Sequence, residues 1–215
     1  AGYTTRMLFW IVMPLALVIF ILLTTSVWLR FRGHRATRSS VLLAAAPLVL
    51  QTLFVVYPIV SRMAFSAFSF FEFNDGASFL RADVDIKLGS AEHVRAMKVA
   101  IVGIVLYPIG MPVFFGILLW CARGAISSGQ PTPLSSATRF LHGDYRALFF
   151  WWELAEMFRR FLLLGVLGMV KQGSLEQIAY GNLTSVVFLT IQTVAAPFRK
   201  TSDNFFAAVC SLLLA

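Results

Sequence analysis

Residues 7–28 read MLFWIVMPLALVIFILLTTSVW, a run from Met7 to Trp28 without a single charge. About 20 consecutive apolar residues make a helix long enough to cross ~30 Å of hydrocarbon. Backbone groups inside lipid must satisfy one another, so such a run is read as a helix. Pro14 lies inside it. It is longer than the ~7–15-residue apolar core of a signal peptide and lacks a small-x-small cleavage site.

Similar runs recur along the chain. A second span is expected from Val41 to about Met63 and a third from Val99 to Trp120. A fourth, Ala147 to Val170, carries four charges; a fifth is Ile178 to Ala196, closed by Pro197. A truncated sixth runs from Asn204 to Ala215. The hydrophobic content of 59% and the mean hydropathy of +0.79 agree with this pattern. A soluble domain is usually about 45–50% apolar. The expected fold is therefore all-α, a polytopic bundle of five full spans plus a truncated sixth. Residues 1–215 form one transmembrane domain, expected to be part of a longer chain. Residues 72–98 are expected as an extracytoplasmic loop and residues 122–146 as a cytoplasmic one.

Charge orients the set. The segments 29–40, 122–146 and 198–203 hold Arg30, Arg32, Arg35, Arg38, Arg123, Arg139, Arg146, Arg199 and Lys200 against Asp144 and Asp203. On the opposite side, Arg6, Arg81, Lys87, Arg95, Lys98 and Lys171 are balanced by Glu72, Asp75, Asp83, Asp85, Glu92 and Glu176. Basic loops stay in the cytoplasm, so the N-terminus is expected outside or lumenal. The net charge of +8 is thus a topology signal, and no nucleic-acid partner is expected. The expected partners are the lipid bilayer and other membrane chains. The two cysteines, Cys121 and Cys210, have no metal or disulfide spacing and are expected to pack among helices.

Three stretches are candidates for chemistry. In Trp151-Trp152-Glu153-Leu154-Ala155-Glu156-Met157-Phe158-Arg159-Arg160, spacings of three and four stack Glu153 and Glu156 with an arginine along one helical face. Charges inside a span are expensive unless paired or wetted. They form either an ion-paired network locking the helix to its neighbours or an ion or proton path. Trp151 and Trp152 suit the headgroup level. The second stretch is Tyr107-Pro108-Ile109-Gly110-Met111-Pro112, where two prolines remove backbone donors and a kink or unwound turn is expected. The third is Glu92-His93-Val94-Arg95-Ala96-Met97. It is similar to the Glu-x-x-His-x-Arg-x-Ala-Met helix of light-harvesting proteins but out of register, which leaves pigment ligation by His93 against a solvated helix start. Asn182-Leu183-Thr184 fits a glycosylation triplet inside a span. No nucleophile set, P-loop, dinucleotide fingerprint or metal cluster is present, so no enzyme is expected and no cofactor is required.

From about residue 53 to 206, a series of short motifs runs in order. It begins with Phe54-Val55-Val56-Tyr57-Pro58, Val60-Ser61 and Asp75-Gly76-Ala77-Ser78-Phe79-Leu80-Arg81-Ala82-Asp83. Tyr107-Pro108, Gly110, Pro112, Phe140-Leu141 and Asp144-Tyr145 follow. Trp152-Glu153, Glu156, Arg159-Arg160, Pro197-Phe198 and Asp203-Asn204 close it. This order resembles the C-terminal multi-pass region of large algal and protist surface proteins that carry cysteine-rich ephrin-receptor-like or EGF-like repeats. Such proteins are sometimes termed TRP-like. The resemblance implies a receptor-like or adhesion module, or a channel relative. The family's cysteines at the two ends of the extracytoplasmic loop are replaced by Phe70 and Leu88, implying that packing stands in for a disulfide. Three functions follow: a non-enzymatic anchoring and signal-transmitting module, a cation channel or transporter module, and an accessory subunit of an organellar or photosynthetic complex. The host membrane is the plasma membrane or an organellar one.

Overall fold

Side-chain caps and left-handed residues set where several helices of this chain start and stop. The computed structural model of the protein describes residues 2–33, 37–73, 78–169 and 173–213. Ala1, His34, Arg35, Ala36, Asn74, Asp75, Gly76, Ala77, Val170, Lys171, Gln172, Leu214 and Ala215 lie outside the described residues. Helix α1 (Tyr3–Phe31) carries Pro14, and α2 (Arg38–Phe65) carries Pro47 and Pro58. Both continue through their prolines. Helix α2 starts where the Thr37 side chain accepts from the Ser40 N–H at 3.3 Å, an N-cap that satisfies an otherwise orphaned donor.

A three-stranded antiparallel sheet follows: β1 (Phe70–Glu72), β2 (Ser78–Leu80) and β3 (Asp83–Lys87), in the order β1-β2-β3. The segment 72–98, expected as a loop, is therefore structured, and its last third is already helix. Helix α3 (Ala91–Ile104) begins under a Ser90 cap. Phe70 pairs with Leu80, while Leu88 bonds to Ser78, so β2 lies between these two positions. Strands two apart in a sheet are separated by about 9.5 Å, beyond disulfide reach. Phe70 packs instead edge-on against His93, ring centroids 5.6 Å apart.

Helix α3 passes through a π-helical turn, Val105–Ile109, into α4 (Gly110–Ser128). Helix α4 runs to Ser128, and Gly129 at φ +69° ends it. Two short helices, α5 (Pro133–Ala137) and α6 (Arg139–His142), fill the connection. The fourth apolar run is divided into a 3₁₀ turn (Ala147–Phe149), α7 (Trp152–Phe161), a second π-helical turn (Leu162–Val166) and α8 (Leu167–Met169). Helix α9 (Leu175–Ala195) and α10 (Thr201–Leu213) complete the chain. Ala196 at φ +42° and Pro197 stop α9.

Among the described residues, four helical stretches are long and apolar enough to cross a bilayer: Tyr3–Phe31, Arg38–Phe68, Ala91–Ser128 and Leu175–Ala195. Their outer faces present large apolar side chains such as Phe9, Phe20, Leu23, Trp120 and Val194. Thr190 and Thr193, both exposed, and Thr52 and Thr184, both half-buried, return their hydroxyls to the carbonyl four residues back at 2.8 Å. A hydroxyl facing lipid has no water to bond, and this back-bonding satisfies it. Cys121 on α4 and Cys210 on α10 are also exposed, which corrects the expectation that they pack among helices. The core joins α1, α2, α3, α4 and α7 through Met7, Tyr57, Val60, Ala100, Phe115 and Met157. Small residues let the backbones approach: a Cβ on Gly103 would lie 3.0 Å from Ile11 Cδ1 and 3.2 Å from Ala64 Cβ.

Candidate functional site

The charge cluster sits on the first two turns of α7. Side chains on a helix lean toward its N-terminus, so Arg159 and Arg160 reach back along the axis toward the two acids. Arg159 Nη2 lies 3.0 Å from Glu156 Oε2, with both side chains about one-seventh exposed. Arg160 Nη2 lies 3.4 Å from Glu153 Oε1, spanning two full turns. All four predicted charges are thus brought together, in two pairs.

Each pair is extended by a group from elsewhere in the fold. Tyr145 Oη donates to Glu153 Oε2 at 2.7 Å. Arg159 Nη1 donates to Ser211 Oγ at 3.1 Å, and Ser211 donates on to Gln192 Oε1 at 2.9 Å, tying α7 to α10 and α9. The Arg160 guanidinium stands 5.8 Å from the centroid of Phe54 on α2. Tyr57, also on α2, donates to the Met157 carbonyl at 3.1 Å. Arg159 Nε and Gln192 Nε2 are buried without partners among the described residues. Tyr57, Tyr145, Gln192 and Ser211 were not singled out from the sequence as site residues. Tyr57 and Tyr145 stand within the ordered motifs, whereas Gln192 and Ser211 carry no signal beyond being polar in apolar helices.

The ordered motifs meet at the basic end of the bundle. Tyr145 and Phe198 form an isolated antiparallel bridge, their rings 4.8 Å apart. Arg146 N–H donates to the Pro197 carbonyl at 2.9 Å, Arg199 N–H to the Asp144 carbonyl at 2.9 Å, and Arg199 Nε to the Tyr145 carbonyl at 2.7 Å. Asn204 holds the turn from both sides: its Oδ1 accepts from Phe198 N–H and its Nδ2 donates to the Phe198 carbonyl, each at 3.1 Å. Burial, with the Glu153 charge beside it, pushes the Tyr145 phenol above its ordinary range, so it remains a hydrogen-bond donor. Burial also lowers His142, whose Nε2 lies 3.1 Å from the Ser135 carbonyl; Arg199 and Arg139 push it the same way. Tyr145→Phe removes one of the two partners of Glu153. It is expected to destabilise the fold by about 1 kcal/mol, since a hydrogen bond to a charged group contributes roughly 1.5–3 kcal/mol and Arg160 remains. Thermal unfolding in detergent reads this loss.

The other candidates lie apart from this cluster. Tyr107–Pro112 stays helical, with a π turn at Val105–Ile109. Pro108 lacks an N–H and its ring would strike the carbonyl of Ile104, and a wider turn relieves both problems. Gly110 N–H closes that turn on the Val105 carbonyl. A Cβ on Gly110 would sit 2.9 Å from that carbonyl oxygen, so the turn needs glycine there. Tyr107 Oη donates to the Ile11 carbonyl of α1 at 2.7 Å, one residue past the carbonyl that Pro14 leaves without its helical donor. The break therefore bonds to α1 and not to α7.

Trp151 is exposed, but Trp152 is only 4% exposed. The rings of Phe149, Trp151 and Trp152 pack together around the 3₁₀ turn before α7, with Trp152 turned into the protein. His93 is 3% exposed, which corrects the solvated helix start. Its Nδ1 accepts from Gly89 N–H at 3.4 Å, which assigns the ring proton to Nε2. Nε2 is buried without a partner among the described residues.

Fold and cluster together define a polytopic α-helical membrane protein in which one charged helix is held by several neighbours. Its sequence is similar to cysteine repeat modular protein A of Toxoplasma gondii, with 27% identity over 170 residues covering 73% of this chain. The chain spans 5% of the length of that curated relative. No family model matches the sequence, and no solved structure matches the chain.

Proposed function

We propose that this chain is a non-enzymatic multi-pass membrane module that anchors extramembrane cysteine-rich repeats and transmits their movements to the opposite membrane face. It crosses the bilayer five times, counting α7 through α8 as the fourth crossing, with the N-terminus outside or lumenal and α10 entering as the sixth. Two contacts support the sidedness. Arg6 pairs with Asp83 at 3.3 Å, keeping the N-terminus beside the sheet, while the Tyr145–Phe198 bridge joins two basic loops at the other end. The name of the similar protein, which refers to cysteine repeats, supports the repeats.

The observation that carries the reading is the internal pairing of the charged helix. Glu153 and Glu156 face Arg160 and Arg159, and the ends of that network bond to other parts of the same chain. A conducting carboxylate faces a water-filled route, and a structural one faces its cation. Reconstitution into liposomes tests this. No cation flux above empty vesicles is expected, and Glu156→Gln is expected to lower thermal stability without changing flux. Flux that Glu156→Gln abolishes, with melting unchanged, would establish a channel or transporter module instead.

A further inference from the structure

At the arginine-rich end of the bundle, far from the sheet, a groove of about 520 Å³ opens between α1, α2, α4 and α5. Its lining, including Leu22, Leu42, Ala46, Leu50, Leu118 and Leu134, is almost wholly apolar. Along α2 it runs from Leu42 to Leu50, roughly 12 Å at 1.5 Å per residue. That volume falls in the range of pockets that hold small ligands, roughly 300–1,000 Å³.

The groove has a polar mouth. A second hollow of about 360 Å³ shares Leu22 and Leu42 with it and adds Ser26 and Arg38. Ser26 lies one turn beyond Leu22 on α1, and Arg38 one turn before Leu42 on α2, so both polar groups stand over the end of the apolar slot. Arg38 is exposed and makes no ion pair among the described residues. It also stands at the start of a long helix, where the backbone dipole adds positive potential.

We propose that this groove holds an acyl chain of an anionic glycerophospholipid from the adjacent leaflet, with its phosphate on the Arg38 guanidinium and the Ser26 hydroxyl. The apolar slot and the cationic mouth match the two ends of such a lipid in the order they occur at a leaflet boundary. Charge argues against a second copy as the occupant. This end of the chain carries nine basic residues against Asp144 and Asp203, so two copies meeting here in parallel would bring like charges together. The proposal does not depend on the anchoring function, because it needs only a bilayer around the helices.

Native mass spectrometry of the purified chain, released from nanodiscs containing phosphatidylserine or phosphatidylcholine, tests it. The wild type is expected to retain one phosphatidylserine molecule in preference to phosphatidylcholine. Arg38→Gln is expected to lower that preference roughly fivefold, the contribution of one membrane-surface arginine to anionic-lipid attraction. Arg123→Gln, which removes a cation stacked 4.0 Å over Trp120 at the same end, is expected to leave it unchanged. Ala46→Phe, which fills the slot, is expected to abolish retention of either lipid. Equal retention of both lipids by the wild type, or equal losses in the two arginine variants, would overturn the proposal in favour of annular lipid and diffuse charge. A dimer mass lost in Ala46→Phe would overturn it in favour of a second copy.

Discussion

Arg159→Gln is expected to lower stability by about 2–4 kcal/mol, below the roughly 3–5 kcal/mol of a fully buried pair broken on one side, because a little exposure remains. The substitution leaves the Glu156 carboxylate, about one-eighth exposed, without its cation at 3.0 Å. It also removes the donor that Ser211 receives from α7. Two further variants separate charge from geometry. Arg159→Gln combined with Glu156→Gln removes both charges and should recover most of the loss, because the penalty arises from an unpaired ion. Arg159→Lys keeps the charge but loses the forked donor set and should fall between. Apparent melting temperatures in one detergent provide the comparison. If the double variant is as unstable as Arg159→Gln alone, the loss lies in packing and the ion-pair account is wrong.

Gly165→Ala is expected to cost about 2 kcal/mol, although alanine in place of glycine ordinarily favours a helix by ~1 kcal/mol. The sign reverses because of Phe65. Gly165 stands in the second π-helical turn, and a Cβ there would lie 2.6 Å from Cε2 and 3.0 Å from Cε1 of the Phe65 ring on α2. Phe65 in turn packs against Phe161, centroids 5.9 Å apart, so the ring has little room to retreat. Overfilling a packed core costs roughly 1–3 kcal/mol. Phe65→Leu makes room, so adding it should reduce the penalty of Gly165→Ala, a coupling that a double-mutant cycle measures. A stabilised Gly165→Ala protein would mean that the ring moves freely and that helix α2 and the π turn are not in tight contact.

Much of this architecture was legible in the chain because lipid imposes length. The runs at Met7–Trp28, Val41–Met63 and Val99–Trp120 fall within helices that meet the length and hydropathy for crossing, and Ile178–Ala196 overruns the fourth such helix by one residue. The pairing of Glu156 with Arg159 was legible from spacing, since residues three apart share a face. Glu153 with Arg160 was not, because only long arms and a kept-open face join residues two turns apart. The strand β3 has its signal in the alternation Asp83-Val84-Asp85-Ile86-Lys87. Two side chains lie where residue type alone does not place them, because which face of an element meets protein depends on neighbours far away in sequence. His93 turns inward, and Cys121 turns outward.

The charges of α7 also bear on how the chain is made. Residues 152–169 are not among the four stretches apolar enough to insert by themselves, and a translocating chain presents its helices one after another. Glu156 is neutralised locally, but the groups that accept from Arg159 and Ser211 come from α10 and α9, up to 52 residues downstream. In the proposed topology, the direct partner of Arg159 is therefore made only after α9, when Ser211 on α10 follows. A ribosome stalled before Ser211 is expected to leave α7 more accessible to protease than in the finished chain, while the first three spans are already inaccessible.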